Sequence, residues 1–279
     1  MRIAIVGIGL IGGSMALVLK EKGFADWIIG VDANPEHQKK AIELQLVDEI
    51  LPLNEAVVKS DLIILAIPVN AAEKILPGLL DLVNLQVLMD VGSTKEGLLK
   101  SIAQHPKRGR FVATHPMWGT ENSGPTAAVS GAFKEKATVI CNKEETDADA
   151  LDLVEKLYAA LGMHLVYMNA KAHDVHVAYV SHISHITSFA LANTVLEKER
   201  GEDNIFELAS GGFESTVRLA KSNSDMWVPI FMQNKENVLD VLNEHISQLR
   251  KFKSCLEKEN FEYLKELIEQ ANGIKRILK

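Results

Sequence analysis

Gly7, Gly9 and Gly12 stand at the spacing G-x-G-x-x-G, directly after the apolar run Ile3–Val6 and before a helical pattern. Gly7 permits a tight turn, Gly9 lets backbone approach a pyrophosphate, and Gly12 lets a helix pack on a strand. The helix opening through Leu10 and Ile11 offers unpaired N–H groups and a partial positive charge to phosphate. A second apolar run, Trp27-Ile-Ile-Gly-Val31, ends in Asp32, the offset at which an acid holds an adenosine ribose. Together these residues predict a dinucleotide site. Asp32 would accept from both ribose hydroxyls and repel a 2′-phosphate, and Ala33 and Asn34 supply no cation, so the expected cofactor is NAD. The plain alternative is a structural turn and a surface aspartate.

Other candidates stand at the carboxyl ends of apolar runs, where open α/β sheets bind ligands. Ile67-Pro68 ends one run, Asp90-Val-Gly-Ser93-Thr-Lys95 a second, and Thr114-His115-Pro-Met-Trp-Gly-Thr-Glu121 a third. Histidine is the side chain best suited to move a proton near neutral pH, which singles out His115. Ser93 reads equally as the N-cap of the next helix. His173, His176, His182 and His185 crowd together. On one regular helix, at about 100° per residue, the first pair and the second pair face different ways. No Cys or acid completes a ligand set at a recognised spacing, so no metal is expected. His182 and His185 read as hydrogen-bonding groups on an inner face, or as a satisfied packing pair. Arg218, after the Gly211-Gly212 break, could grip a carboxylate with its planar fork or be a solvated helix arginine. Trp227 is core or pocket wall.

These residues need elements to position them. Runs at Ile3–Val6, Trp27–Asp32, Leu62–Ile67, Val87–Val91, Phe111–Ala113, Thr138–Cys141 and His164–Met168 read as strands. Helical patterns lie near Ser14–Lys22, Glu36–Leu46, Ala71–Leu82, Lys95–Gln104 and Asp147–Leu161. This βαβ alternation, apolar on consecutive positions, implies a doubly wound parallel sheet of Rossmann type buried on both faces. After about residue 170 strand signals stop, and His173 to Arg200, Phe206 to Ser222, Trp227 to Lys258 and Phe261 to Leu278 read as helices. The expected division is a nucleotide-binding domain over 1–169 and an all-α domain over 170–279. Val238, Val241, Leu242 and Leu249 share one helix face, which predicts pairing with a second copy of the chain.

The chain has 279 residues and a formal net charge of −7. That balance, with no basic cluster, argues against nucleic acid as partner. The two cysteines, Cys141 and Cys255, fit no metal or redox spacing and suit a reducing compartment. No signal-peptide pattern and no membrane span are legible, so the expected setting is cytoplasmic.

Five motifs in order, Gly7-x-Gly9-x-x-Gly12, Asp90-x-Gly-Ser93-x-Lys95, His115-Pro-Met-x-Gly119-Thr-Glu121-x-Ser-Gly124, Ser181-His182-x-x-His185 and Gly211-Gly-Phe213 with Arg218, run over nearly the whole chain. In this order and spacing the sequence resembles the prephenate and arogenate dehydrogenases of tyrosine biosynthesis. The resemblance implies a Rossmann domain followed by a helical dimerisation domain. It implies that His115 is the catalytic histidine, with Ser93 as its hydrogen-bonding helper. Arg218 would hold the ring carboxylate of the substrate, with His185 and Glu121 lining the same pocket. The chemistry would be oxidative decarboxylation: the substrate hydroxyl loses its proton, hydride leaves for NAD, carbon dioxide departs and the ring becomes aromatic. Ser215, Val217 and Trp118 depart from the pattern, where an aspartate, a threonine and a small residue are expected. Arogenate as substrate, a β-hydroxyacid dehydrogenase and a non-enzymatic NAD sensor are the competing readings.

Overall fold

The computed structural model describes residues 1–199 and 206–277. Its sheet comprises β1 (Arg2–Val6), β2 (Trp27–Val31), β3 (Glu49–Ile50), β4 (Leu62–Leu65), β5 (Val87–Asp90), β6 (Phe111–Pro116), β7 (Ala137–Cys141) and β8 (His164–Met168). The spatial order is β3-β2-β1-β4-β5-β6-β7-β8. Every residue of β4 and β5 is buried, as central strands covered on both faces require. The helices α1 (Leu10–Glu21), α2 (Pro35–Glu43), α3 (Leu53–Lys59), α4 (Val69–Leu82), α5 (Glu96–Ser101) and α6 (Ala148–Ala160) connect the strands. The order reverses between β1 and β4, which makes their carboxyl ends the crevice of a doubly wound sheet.

One pairing corrects the all-parallel expectation. β7 runs antiparallel to β6, with His115 opposite Val139. No α-helix joins these strands, only a loop with a short 3₁₀ turn at Pro125–Ala127. A parallel return is usually made through a crossover helix, and the connection over residues 117–136 holds none; the chain comes back antiparallel. α1 starts at Leu10, ahead of the expected Ser14, so the glycine turn opens directly into the helix. β3 and α3 carry too few residues to show a period and were not expected.

The helices after β8 are α7 (Ala170–Val177), α8 (Ile183–Glu199), α9 (Gly211–Val217), α10 (Ser224–Gln233), α11 (Lys235–Glu257) and α12 (Phe261–Ala271). Two of the four expected long helices are broken, and the first runs on through a distortion. A π-helical turn, Ala178–His182, lies between α7 and α8. The second is a short α9 followed by a 3₁₀ turn at Arg218–Lys221. The third divides at Asn234, whose amide turns inward to the Asp174 carbonyl at 2.7 Å. Arg200 and Leu278, the far ends of two expected helices, lie outside the described residues. Met1–Asn234 form one compact unit and Lys235–Lys279 a second, so compactness divides the chain later than the change of secondary structure near residue 170. In α11, Val238 and Val241 are already buried within the single chain, whereas Leu249 is 56% exposed. The expected seam is therefore not one free face. Among the described residues, no helix is long and apolar enough to cross a membrane.

Candidate active site

The glycine turn has the shape of a phosphate cradle. Gly7 has φ +94°, and a Cβ there would lie 2.3 Å from the Ala66 carbonyl oxygen. A Cβ on Gly12 would lie 2.1 Å from the Gly7 oxygen. Gly9 differs: a Cβ there would meet nothing within 4 Å, so the backbone faces open space. Gly9 is also the N-cap of α1, and neither a side-chain cap nor an acid occupies the first turn. The helix opening at Leu10 and Ile11 thus keeps its donors for an anion. Asp32 Oδ2 accepts the Ile8 N–H and Oδ1 the Asn34 N–H, each at 2.9 Å, which fixes the carboxylate at the end of β2. The Ile67 side chain packs beside Gly7, and Pro68 is the N-cap of α4. A dinucleotide fits this cradle.

A chain of hydrogen bonds crosses from the sheet to the helical segment. His115 lies inside β6 rather than after it, because the strand continues through Pro116. Its Nδ1 is 2.9 Å from Nε2 of His173 in α7. His173 Nδ1 is 2.7 Å from Asp174 Oδ1. Asp174 in turn accepts the Lys95 N–H at 2.8 Å and the Glu96 N–H at 2.9 Å. Asp174, from a distant helix, thereby caps the start of α5. The helix's N-cap position is Lys95, so the capping reading of Ser93 is corrected; Ser93 is half-buried in the preceding turn. Below it, the buried Lys95 ammonium pairs with Asp90, which also accepts the N–H groups of Gly92 and Thr114. Burial pushes the Asp90 carboxyl up, and Lys95 pulls it down.

Burial, followed by the facing imidazole of His173, the Lys95 ammonium and His182, holds His115 well below the ordinary histidine range. His115 is therefore a neutral base at pH 7. Burial likewise lowers His173, against the pull of Asp174.

The aromatic wall comes from the π turn, α8 and α10. His182 is fully buried and receives the Asn234 amide at Nδ1, 3.2 Å away. Its Nε2 then carries the hydrogen, and this atom and Trp227 Nε1 are buried without partners among the described residues. Burial takes His182 down to about 4. His185 stacks on Trp227 with ring centres 3.5 Å apart and donates Nδ1–H to the Ser181 carbonyl at 3.0 Å. Its base strength is lowered by burial and also by the Arg218 charge, which sets Arg218 beside the same wall. Arg218 binds Glu121 at 2.6 Å. A backbone N–H and Arg218 hold the Glu121 carboxyl below its usual range. Trp227, Ile230 and Val69 form one apolar cluster, which ties this wall to the start of α4.

A neutral histidine and a dinucleotide cradle on one sheet, with a cation and an aromatic wall, suit hydride removal coupled to proton transfer. Comparison with known proteins agrees. The family model "Prephenate dehydrogenase, nucleotide-binding domain" matches residues 15–167, and "Prephenate dehydrogenase, dimerization domain" matches residues 169–270. The chain belongs to the prephenate dehydrogenase family. A prephenate dehydrogenase of Bacillus subtilis is 30% identical over 98% of this chain and 76% of its own length. A cyclohexadienyl dehydrogenase of Zymomonas mobilis is 27% identical over 99% of this chain and 96% of its own. The solved prephenate dehydrogenase of A. aeolicus, in complex with hydroxyphenyl propionate and NAD+, superposes with a TM-score of 0.89 at 32% identity, over 99% of this chain and 97% of that one.

Within this prephenate dehydrogenase fold, the departures expected from the sequence find local explanations. Ser215 is exposed and donates to the Gly212 carbonyl at 2.9 Å, so the Glu121–Arg218 pair forms without an aspartate at that position. Trp118 packs edge-on against Phe133, with centres 5.2 Å apart. The helical wheel for the four histidines assumed a regular helix, and a π turn at Ala178–His182 interrupts it. The π turn holds roughly one extra residue and sets the following residues back by about 100°. His182 acts on His115 and His173 by charge, while its ring contacts are with Trp227 and Phe231. Among the described residues no group of three His, Cys, Asp or Glu is arranged to hold a metal. Sequence reasoning missed His173, Asp174 and Asn234 as site residues. The adjacent His-Asp pair just after the last strand was the one available signal.

Proposed function

We propose that this NAD-dependent dehydrogenase oxidises and decarboxylates prephenate to 4-hydroxyphenylpyruvate, with His115 as the proton acceptor. The observation that carries the reading is His115 itself. It is 9% exposed, it is held neutral, and its Nε2 has no protein partner among the described residues. Bound NAD supplies the hydride acceptor. The cradle of Gly7, Gly9, Leu10, Ile11 and Gly12 would hold the pyrophosphate and Asp32 the adenosine ribose, and Ile67 and Pro68, just past β4, would line the same site. Ser93 orients the reacting hydroxyl, and His115 Nε2 takes its proton. Arg218 exchanges Glu121 for the ring carboxylate, while His185, His182 and Trp227 wall the ring and side chain. Aromatisation drives the reaction, so the residues need only align the reactants, exclude water and accept one proton.

We assign the functional division to 1–169 and 170–279, place the enzyme in the cytoplasm and read it as a homodimer. The test is the rate of NADH formation with NAD and either prephenate or arogenate. Faster turnover of prephenate is expected. Turnover of arogenate alone would overturn the substrate, and no turnover of either would overturn the reading.

A further inference from the structure

The geometry points to His173 and Asp174 as positioning residues that fix the tautomer of His115 and leave its Nε2 free to accept a proton. The inference rests on His115 being the base. Asp174 is an acceptor, so His173 Nδ1, 2.7 Å away, must donate to it. A neutral imidazole with its hydrogen on Nδ1 can only accept at Nε2. His115 Nδ1, 2.9 Å from that nitrogen, must therefore carry the hydrogen of its own ring. The lone pair of His115 is left on Nε2. The two N–H groups of Lys95 and Glu96 lock the orientation of Asp174. The logic is that of a carboxylate setting a catalytic histidine, lengthened by one imidazole.

Burial supports the direction of this chain. His173 is 1% and Asp174 3% exposed, so water does not compete for the bonds. A doubly protonated His173 would donate at Nε2 and force the His115 hydrogen onto the wrong nitrogen, and burial disfavours that form. The charged and titratable groups nearby are Lys95 with its partner Asp90, His182, and Cys141 on β7. The Cys141 thiol is pushed up to about 12 and stays protonated. The hydrogen-bonded neighbours of the chain thus favour one tautomer.

The test uses the full enzyme labelled with ¹⁵N-histidine. Two-bond ¹H–¹⁵N spectra at neutral pH should show His115 protonated at Nδ1. In His173→Phe, which keeps bulk but removes both bonds, His115 should become a tautomeric mixture. Its kcat should fall by about 10- to 100-fold, the usual cost of losing an outer-shell partner. KM for NAD should stay within about twofold, and the acid limb of the kcat profile should move. His173→Gln, whose amide oxygen can accept from His115, should recover part of the rate. A hydrogen on Nε2 of His115 in the unsubstituted enzyme overturns the inference even if the variants fail to fold. So does an unchanged tautomer and rate in His173→Phe. Near-normal turnover by His115→Asn would instead remove the base assignment, with the tautomer measurement still standing on its own.

Discussion

The residue on which the proposed chemistry rests is His115. It is buried and held well below the ordinary histidine range by desolvation, His173, Lys95 and His182. Its basic form therefore persists to lower pH than a free imidazole would allow. His115→Asn should lower kcat by about two to four orders of magnitude, the usual worth of a positioned proton acceptor, with KM for NAD little changed. In the unsubstituted enzyme the acid limb of kcat should lie below about 6.5, the ordinary imidazole value. Steady-state rates between pH 4.5 and 8 check both. Arg218 is half exposed and spends its charge on Glu121. Arg218→Ala should raise the prephenate KM by about 30- to 1000-fold, the loss of a bidentate charge-assisted contact. Because the residue is exposed, the melting temperature should stay within a few degrees. A variant that unfolds or keeps its KM would assign Arg218 to structure or to solvent.

At the scale of elements, the β1–α1 turn tolerates no side chain where strand and helix meet. Gly12 faces the Gly7 carbonyl and the Ile5 side chain at distances no Cβ can occupy. Backbone cannot yield as a flexible side chain can. Gly12→Ala should therefore cost at least about 1–3 kcal/mol, the range for overpacking, and weaken NAD binding as α1 is displaced from the cradle. Chemical denaturation and NAD titration measure the two effects. Gly9→Ala should differ, because open space surrounds that position. The second decisive element is the π turn. It carries His182 into full burial while its neighbours Tyr179 and Val180 remain exposed. α5 depends on Asp174, which supplies the cap that its own N-cap residue does not.

At the scale of the whole molecule, buried histidines give stability a pH dependence. His115, His173, His182 and His185 all have folded values below the ordinary one, His182 at about 4. The unfolded chain thus binds more protons between about pH 6.5 and the folded values. Stability is full above about pH 6.5 and is lost as pH falls, by up to ~1.4 kcal/mol per pH unit for each such group. Asp90, raised by burial, acts in the opposite sense at the acid end. Melting temperature measured from pH 7.5 to 4.5 should fall, most steeply below pH 6. The second expectation at this scale is assembly. Val241 is buried within one chain, so a charge there would test folding, whereas Leu249 is exposed. Leu249→Glu should reduce dimer content by light scattering and leave the monomer folded by circular dichroism. A dimer unchanged by this variant would place the seam elsewhere.

The sequence alone determined what is local in physics. The glycine turn was legible because φ +94° at Gly7 and the close approach at Gly12 each admit one residue type. The doubly wound sheet was legible because strands buried on both faces must be apolar at every position. His115 and Asp32 stood out as candidates because each follows an apolar run that reads as a strand; the structure sets Asp32 just past β2 and His115 inside β6. Partners across the molecule were not legible, because packing chooses them. His115 finds His173 across 58 positions, and the Lys95 N–H finds Asp174 across 79. Neither pairing leaves a trace in spacing or period. The antiparallel turn into β7 went with the absence of a crossover helix, and the burial of His182 with one π turn. Tertiary structure decided these points because a buried hydrogen-bonding group must be satisfied by whatever the fold brings within reach, wherever it lies in the chain.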